Sequence, residues 1–333
     1  MGKVFEFFSG SGKGTKGVSK REVDRDKDMG FLFFFKLLKN RLGNISSTSL
    51  LFAFCNFPLL LFFLGLSGNL DASVPAPSNP QYALVYGMEQ LGVKNLNVSL
   101  WQGLFGVSAE VTIVSTASRV LMLLGLLTLI TLGISSIGAV YNMRAVTRSE
   151  PLSPWAEFFP VVKKNLKQGI PLIIMDAILI PFFAYDLVAY YSDMSQTGSF
   201  FTTFCFYIVA IFAIIYYVMR FYSYLILVTF DLKFGSLLKN AFYLTFLGWK
   251  RSLSCIVGSA GVMLLMIFLF RLLPTFGILL PFVIGFGLLL FIGVYCAYPV
   301  IDRFMIEPYY KEHPDERPGQ DLDNVESIFT DRG

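Results

Sequence analysis

Charge is what this chain has least of. Only 15% of its 333 residues are Asp, Glu, Lys or Arg, against about 25% in a typical soluble domain. Histidine is nearly absent: the single copy, His313, lies in a polar stretch near the C-terminus. General acid–base chemistry near neutral pH therefore lacks its usual residue, and no Ser/His/Asp set or carboxylate cluster replaces it. The four cysteines, Cys55, Cys205, Cys255 and Cys296, all fall inside apolar runs. That placement excludes a disulfide framework and offers no zinc spacing. The reading is of a chain with no enzymatic activity, no metal and no cofactor.

What is abundant is apolar. Hydrophobic residues make up 55% and aromatics 16% of the chain, and mean hydropathy is +0.62. Six long runs carry most of this, at 48–66, 119–141, 169–191, 200–230, 253–273 and 277–301. A helix needs roughly 20 residues to cross about 30 Å of hydrocarbon, so each run reads as a membrane span. The fold class expected is all-α: a polytopic membrane bundle of six transmembrane helices, embedded in a lipid bilayer.

Lys and Arg orient it. Of 27 such residues, 23 lie before residue 48, in 142–168, in 231–252 or after 301. These segments share one side if the spans alternate. By the positive-inside rule, both termini face the cytoplasm. Three regions follow: a basic N-terminal tail with a pre-membrane helix (1–47), the membrane domain (48–301) with an external loop at 71–117, and an acidic cytoplasmic tail (302–333). The first thirty residues are polar rather than a basic start with an apolar core, so no cleavable signal peptide is expected. The net charge of +4 reads as topology, not as nucleic-acid binding.

The stretch from Gly10 to Thr15, Gly-Ser-Gly-Lys-Gly-Thr, imitates a phosphate-binding loop. A P-loop needs a strand before it, a leading glycine at the right spacing and a helix after it. Here Phe7 or Phe8 holds the leading position, and a polar charge run follows. No nucleotide is expected there.

Ionisable residues inside spans are costly and turn toward the bundle interior. Asp176 and Arg220 lie at similar depth in neighbouring spans, and Asp186 and Arg271 both lie near the outer face. An inner pair Asp176–Arg220 and a looser outer pair Asp186–Arg271 are therefore expected, either as structural ties or as a proton or substrate relay.

Two cytoplasmic segments read as amphipathic helices. One opens at Ser153-Pro154 and places Trp155, Phe158, Phe159 and Val162 on one face against Lys163, Lys164 and Lys167. The other runs from Gly235 to Lys250 and ends with Trp249. Both contain a Phe, four residues, then Lys-Asn: Phe159 to Lys164-Asn165, and Phe234 to Lys239-Asn240. Such helices lie in the headgroup layer or form a docking surface for a cytoplasmic partner. In the external loop, 79–92 reads as a short helix, and Tyr82, Tyr86, Trp101 and Phe105 as an interfacial belt.

Several motifs occur in a suggestive order. Asn56-Phe-Pro58 sits in the first span, Arg144-Ala-Val-Thr-Arg148 leads to Trp155-Ala-Glu-Phe-Phe159, and Met219-Arg-Phe-Tyr-Ser-Tyr224 precedes Leu238-Lys-Asn-Ala241. Together they resemble the bacterial YesL-like membrane proteins, in a longer clostridial form. That family has no established function, and its members often accompany genes for carbohydrate ABC uptake. The resemblance implies a bacterial plasma-membrane protein acting as an accessory or regulator beside ABC transporter subunits. The alternative is a small-solute transporter or channel using Asp176 and Arg220.

Overall fold

A computed structural model describes residues 30–77, 87, 91, 108–273, 277 and 279–312. The stretch from Gly10 to Thr15, the four belt aromatics and the acidic tail beyond residue 312 lie outside the described residues. The helices are α1 (Phe31–Cys55), α2 (Pro58–Leu66), α3 (Thr116–Gly125), α4 (Thr128–Thr147), α5 (Pro154–Thr197), α6 (Phe200–Leu227), α7 (Phe234–Leu247), α8 (Trp249–Leu272), α9 (Phe286–Ile301) and α10 (Glu307–Glu312). Two strands, β1 (Ala72–Pro77) and β2 (Ser108–Ile113), lie between α2 and α3. Among the described residues, five stretches are long and apolar enough to cross a bilayer, and α1 with α2 makes a sixth if that broken pair is one span. The chain is a multi-pass membrane protein built as an all-α bundle.

The spans differ in detail from their sequence pattern. The pre-membrane helix and the first span adjoin at a kink at Arg41, and a second break falls at Asn56-Phe57, just before Pro58. The first cytoplasmic helix is not separate from the third span: α5 runs unbroken for 44 residues, with Pro160, Pro171 and Pro181 inside it. At ~1.5 Å per residue it is about 66 Å long, twice the hydrocarbon thickness. The passage from amphipathic to apolar sequence near Gly169 is a change of surroundings, not of backbone. The second cytoplasmic helix, α7, is a distinct element.

The chain divides into two compact units, 57–128 and the remainder. The smaller contains α2, α3 and the β-ribbon. Helices α2 and α3 approach through glycine. A Cβ on Gly65 would stand 2.8 Å from the Ser118 carbonyl oxygen, and one on Gly125 would stand 2.7 Å from Phe62 Cα. The ribbon is antiparallel, with Ala72 opposite Ile113 and Pro77 opposite Ser108. Pro75 and Pro77 have the same parity along β1, so their missing N–H groups fall on one edge. Since the ladder forms, that edge is the outer one.

Asp71 ties ribbon to helix. Its Oδ1 accepts the Ser115 amide at 2.9 Å and the Ser118 hydroxyl, and Ser115 caps α3. These bonds, first that from Ser118 and then that from the Ser115 backbone, hold the Asp71 carboxyl below the usual carboxylate range. A depressed folded pKa means the contribution is complete above about pH 4, the unfolded value. It is lost as pH falls through the lower folded value. Hydrogen exchange at the Ser115 and Ser118 amides should therefore accelerate on acidification below about pH 4. Asp71→Asn should make the profile flat, and an unchanged profile in that variant would contradict the assignment.

In the larger unit, the most buried candidate span is the one containing α9. It packs against α1, α6 and α8, while α5 packs chiefly on α6. Phe291, Val294 and Ile301 of α9 meet Leu225 and Ile226 of α6 and Ile45 and Leu51 of α1 in one continuous core.

Candidate functional site

Inside that apolar unit, three side chains of one helix converge on a buried carboxylate. Tyr216, Arg220 and Tyr224 follow one another at four-residue spacing on α6, which puts them on one helix face. That face meets Asp176 of α5. Arg220 Nε donates to Asp176 Oδ2 at 2.7 Å. The Tyr224 hydroxyl donates to the same oxygen at 2.7 Å, and the Tyr216 hydroxyl donates to Oδ1. The guanidinium also reaches α4, where a second nitrogen donates to Ser136 Oγ at 2.6 Å. The Ser136 hydroxyl in turn donates to the Leu132 carbonyl at 2.6 Å. The Arg220 cation stands 5.2 Å from the centre of the Tyr224 ring.

This is a closed network. Asp176 is 1% exposed and accepts three donors from α6. A guanidinium and two hydroxyls compensate the carboxylate for the water it has lost. A relay would need one of these partners to leave. A void between α6, α8 and α9, bounded by Phe221, Cys255, Gly293 and Cys296, has no room for a water molecule, and Asp176 does not line it. Among the described residues no group of three His, Cys, Asp or Glu gathers as a metal site.

A second polar cluster lies beside the α1 break. Asn56 Nδ2 donates to the Phe52 carbonyl and to Ser135 Oγ, both at 2.8 Å, and Thr131 Oγ1 donates to Asn56 Oδ1 at 3.1 Å. Ser135 and Ser136 are neighbours on α4, so this cluster and the Asp176 network share one helix.

The inner pair of the sequence analysis is therefore formed. The outer pair is not: among the described residues the ion pairs are Arg220–Asp176 and Arg148–Glu150, and none joins Asp186 to Arg271. Equal depth does not fix the angle about a helix axis. Asp186 is on α5, which packs on α6, whereas Arg271 is in the last turn of α8, which packs on α9. There its cation complements the carbonyl end of its own helix.

The proposed docking residues are distributed over two faces. On α5, Phe158 and Val162 are buried in the core, while Trp155 is 57% exposed and Phe159 points outward with it. The expected single face thus splits, and the outer stripe is Trp155, Phe159, Lys163 and Lys167 at four-residue spacing. Lys164 is exposed, and Asn165 turns back to donate to the Val161 carbonyl at 2.9 Å. On α7 and the start of α8, Lys239 is exposed and Asn240 half-buried, and Trp249 is 62% exposed. Lys239 stands 5.9 Å from the Tyr243 ring centre, and Lys250 stands 5.8 Å from that of Trp249.

No family model matches the chain, and no curated protein or solved structure is similar to it.

Proposed function

We propose that this chain is a non-catalytic accessory or regulatory subunit of the bacterial plasma membrane, with both termini in the cytoplasm and linked to carbohydrate ABC uptake. The observation that carries the reading is the saturation of Asp176. A carboxylate with three donors, one of them a guanidinium, ties α4, α5 and α6 together and favours a fixed bundle over a moving site. The orientation rests on the distribution of Lys and Arg. The link to carbohydrate importers rests on the motif order that resembles the YesL-like family.

A fixed bundle suits a protein that works by what it presents. Exposed Trp155 and Phe159, in line with Lys163 and Lys167, and Trp249 beside Lys250 supply aromatic anchors, and tryptophan is enriched at interaction hot spots. Crosslinking in native membranes, gentle purification and mass spectrometry test the idea directly. Permease or ATPase subunits of a sugar importer should co-purify, and Trp155→Ala with Phe159→Ala should reduce their recovery several-fold while the chain still inserts. Recovery of the protein alone would count against the accessory role.

A further inference from the structure

A third group of cations sits at the end of α4. The helix closes with Ser149 in the left-handed region at φ 53°. The Glu150 amide donates to the Ala145 carbonyl and the Ser149 amide to the Val146 carbonyl, both at 2.9 Å, which is the Schellman closure. Three arginines converge on this turn from two helices. Arg41 comes from α1, at a residue with non-helical angles (φ −118°, ψ 16°), and donates to the Ser149 carbonyl at 2.9 Å. Arg148 belongs to the turn and pairs with Glu150 at 3.0 Å. Arg144 lies one helical turn before Arg148, on the same side of α4.

Arg144 is the unusual member. Its guanidinium reaches the Val228 carbonyl, at the C-cap of α6, through one long bond of 3.4 Å. Its Nε is buried and has no acceptor. A guanidinium offers five N–H donors in a planar fork, and burying one without an acceptor is unfavourable. Arg41 and Arg148 meet at this turn beside Glu150, with Arg144 one helical turn behind. The helix-end carbonyls that would repel an anion are already covered, Ser149 by Arg41 and Val228 by Arg144. An oxygen-rich anion would satisfy the fork and separate the like charges.

We propose that Arg144, together with Arg148 and Arg41, binds a phosphate group at the 148–150 turn. Its source is either the phosphodiester of an anionic lipid headgroup or free phosphate. Paired guanidinium forks match the spacing of phosphate oxygens. No bond is made or broken; the site is one of recognition.

The test uses the full chain in phosphatidylcholine nanodiscs, titrated separately with phosphatidylglycerol and with inorganic phosphate. The readouts are the unfolding midpoint and, by native mass spectrometry, retained lipid. Binding to the folded state raises the midpoint in proportion to affinity. Phosphatidylglycerol should stabilise the wild-type chain, with affinity about tenfold weaker in Arg144→Gln, the loss expected for a charge-assisted contact. Arg148→Gln alters a half-buried turn position and serves if Arg144→Gln does not fold; it too should bind more weakly. Stabilisation by inorganic phosphate, weakened in the same variants, supports the site and assigns it to the free anion. If neither probe moves the wild-type midpoint, or the folded variants respond like the wild type, the proposal is overturned.

Discussion

Asp176→Ala is expected to destabilise the folded bundle by about 3–5 kcal/mol, the usual effect of removing one partner of a buried ion pair. The loss comes from what remains. Arg220 stays largely buried, its side chain 16% exposed, and keeps Ser136 but has no counter-charge. The Tyr216 and Tyr224 hydroxyls lose their shared acceptor within an apolar core. Asp176→Asn keeps the shape and should lose less, because an amide oxygen still accepts a hydrogen bond. The combination Asp176→Leu with Arg220→Met should recover much of the loss, since an apolar pair of similar volume can replace a buried salt bridge. Recovery should improve further with Tyr216→Phe and Tyr224→Phe, which remove the stranded hydroxyls. Unfolding midpoints across this series in one detergent provide the measurement. A loss below about 1 kcal/mol for Asp176→Ala, as an exposed pair would give, would refute the view of a buried tie. The same variants address transport: a folded Asp176→Asn chain that loses solute flux in liposomes would revive a small-solute carrier built on this pair.

The sequence made half of that network legible. Asp176 and Arg220 stand out because charges are rare in apolar runs, and counting residues from the span ends gives their depth. Tyr216 and Tyr224 escape notice because tyrosine is common in this chain, with 16 copies. The available signal is their spacing, four residues either side of Arg220, which assigns them to its helix face. Asp186 and Arg271 show the limit of the method: depth is read along the axis, but contact needs the angle around it. The same holds for α5, where Trp155 and Phe158 look equivalent on a helical wheel until α4 and α6 are in place. The ribbon is hidden for another reason. Pro75 and Pro77 argue against a strand, and only the parity of their positions shows that they spare the ladder.

A second feature invisible in the sequence leads to a second large effect. Before α9 the chain makes a π-helical turn, Pro281–Gly285, which leaves backbone groups out of step where it meets α-helix. Ser49 of α1 enters there: its hydroxyl accepts the Gly287 amide at 3.0 Å and donates to the Phe282 carbonyl at 2.8 Å. One side chain thus replaces a backbone bond that the change of pitch removes. The arrangement requires α1 to lie against Gly287. A Cβ at that position would stand 2.5 Å from the Ile45 carbonyl oxygen and 3.0 Å from Ser49 Cβ. The first of these is backbone inside a helix and cannot rotate away. Gly287→Ala should therefore destabilise by about 1–3 kcal/mol, and Gly287→Val by the upper end of that range or more. Ser49→Ala should cost about 1–3 kcal/mol for a different reason, the two backbone groups it leaves unpaired in an apolar core. The two substitutions act on one contact, so their combination should fall short of the sum. Additive losses would show that Ser49 and Gly287 act independently, and the account of the turn would then fail.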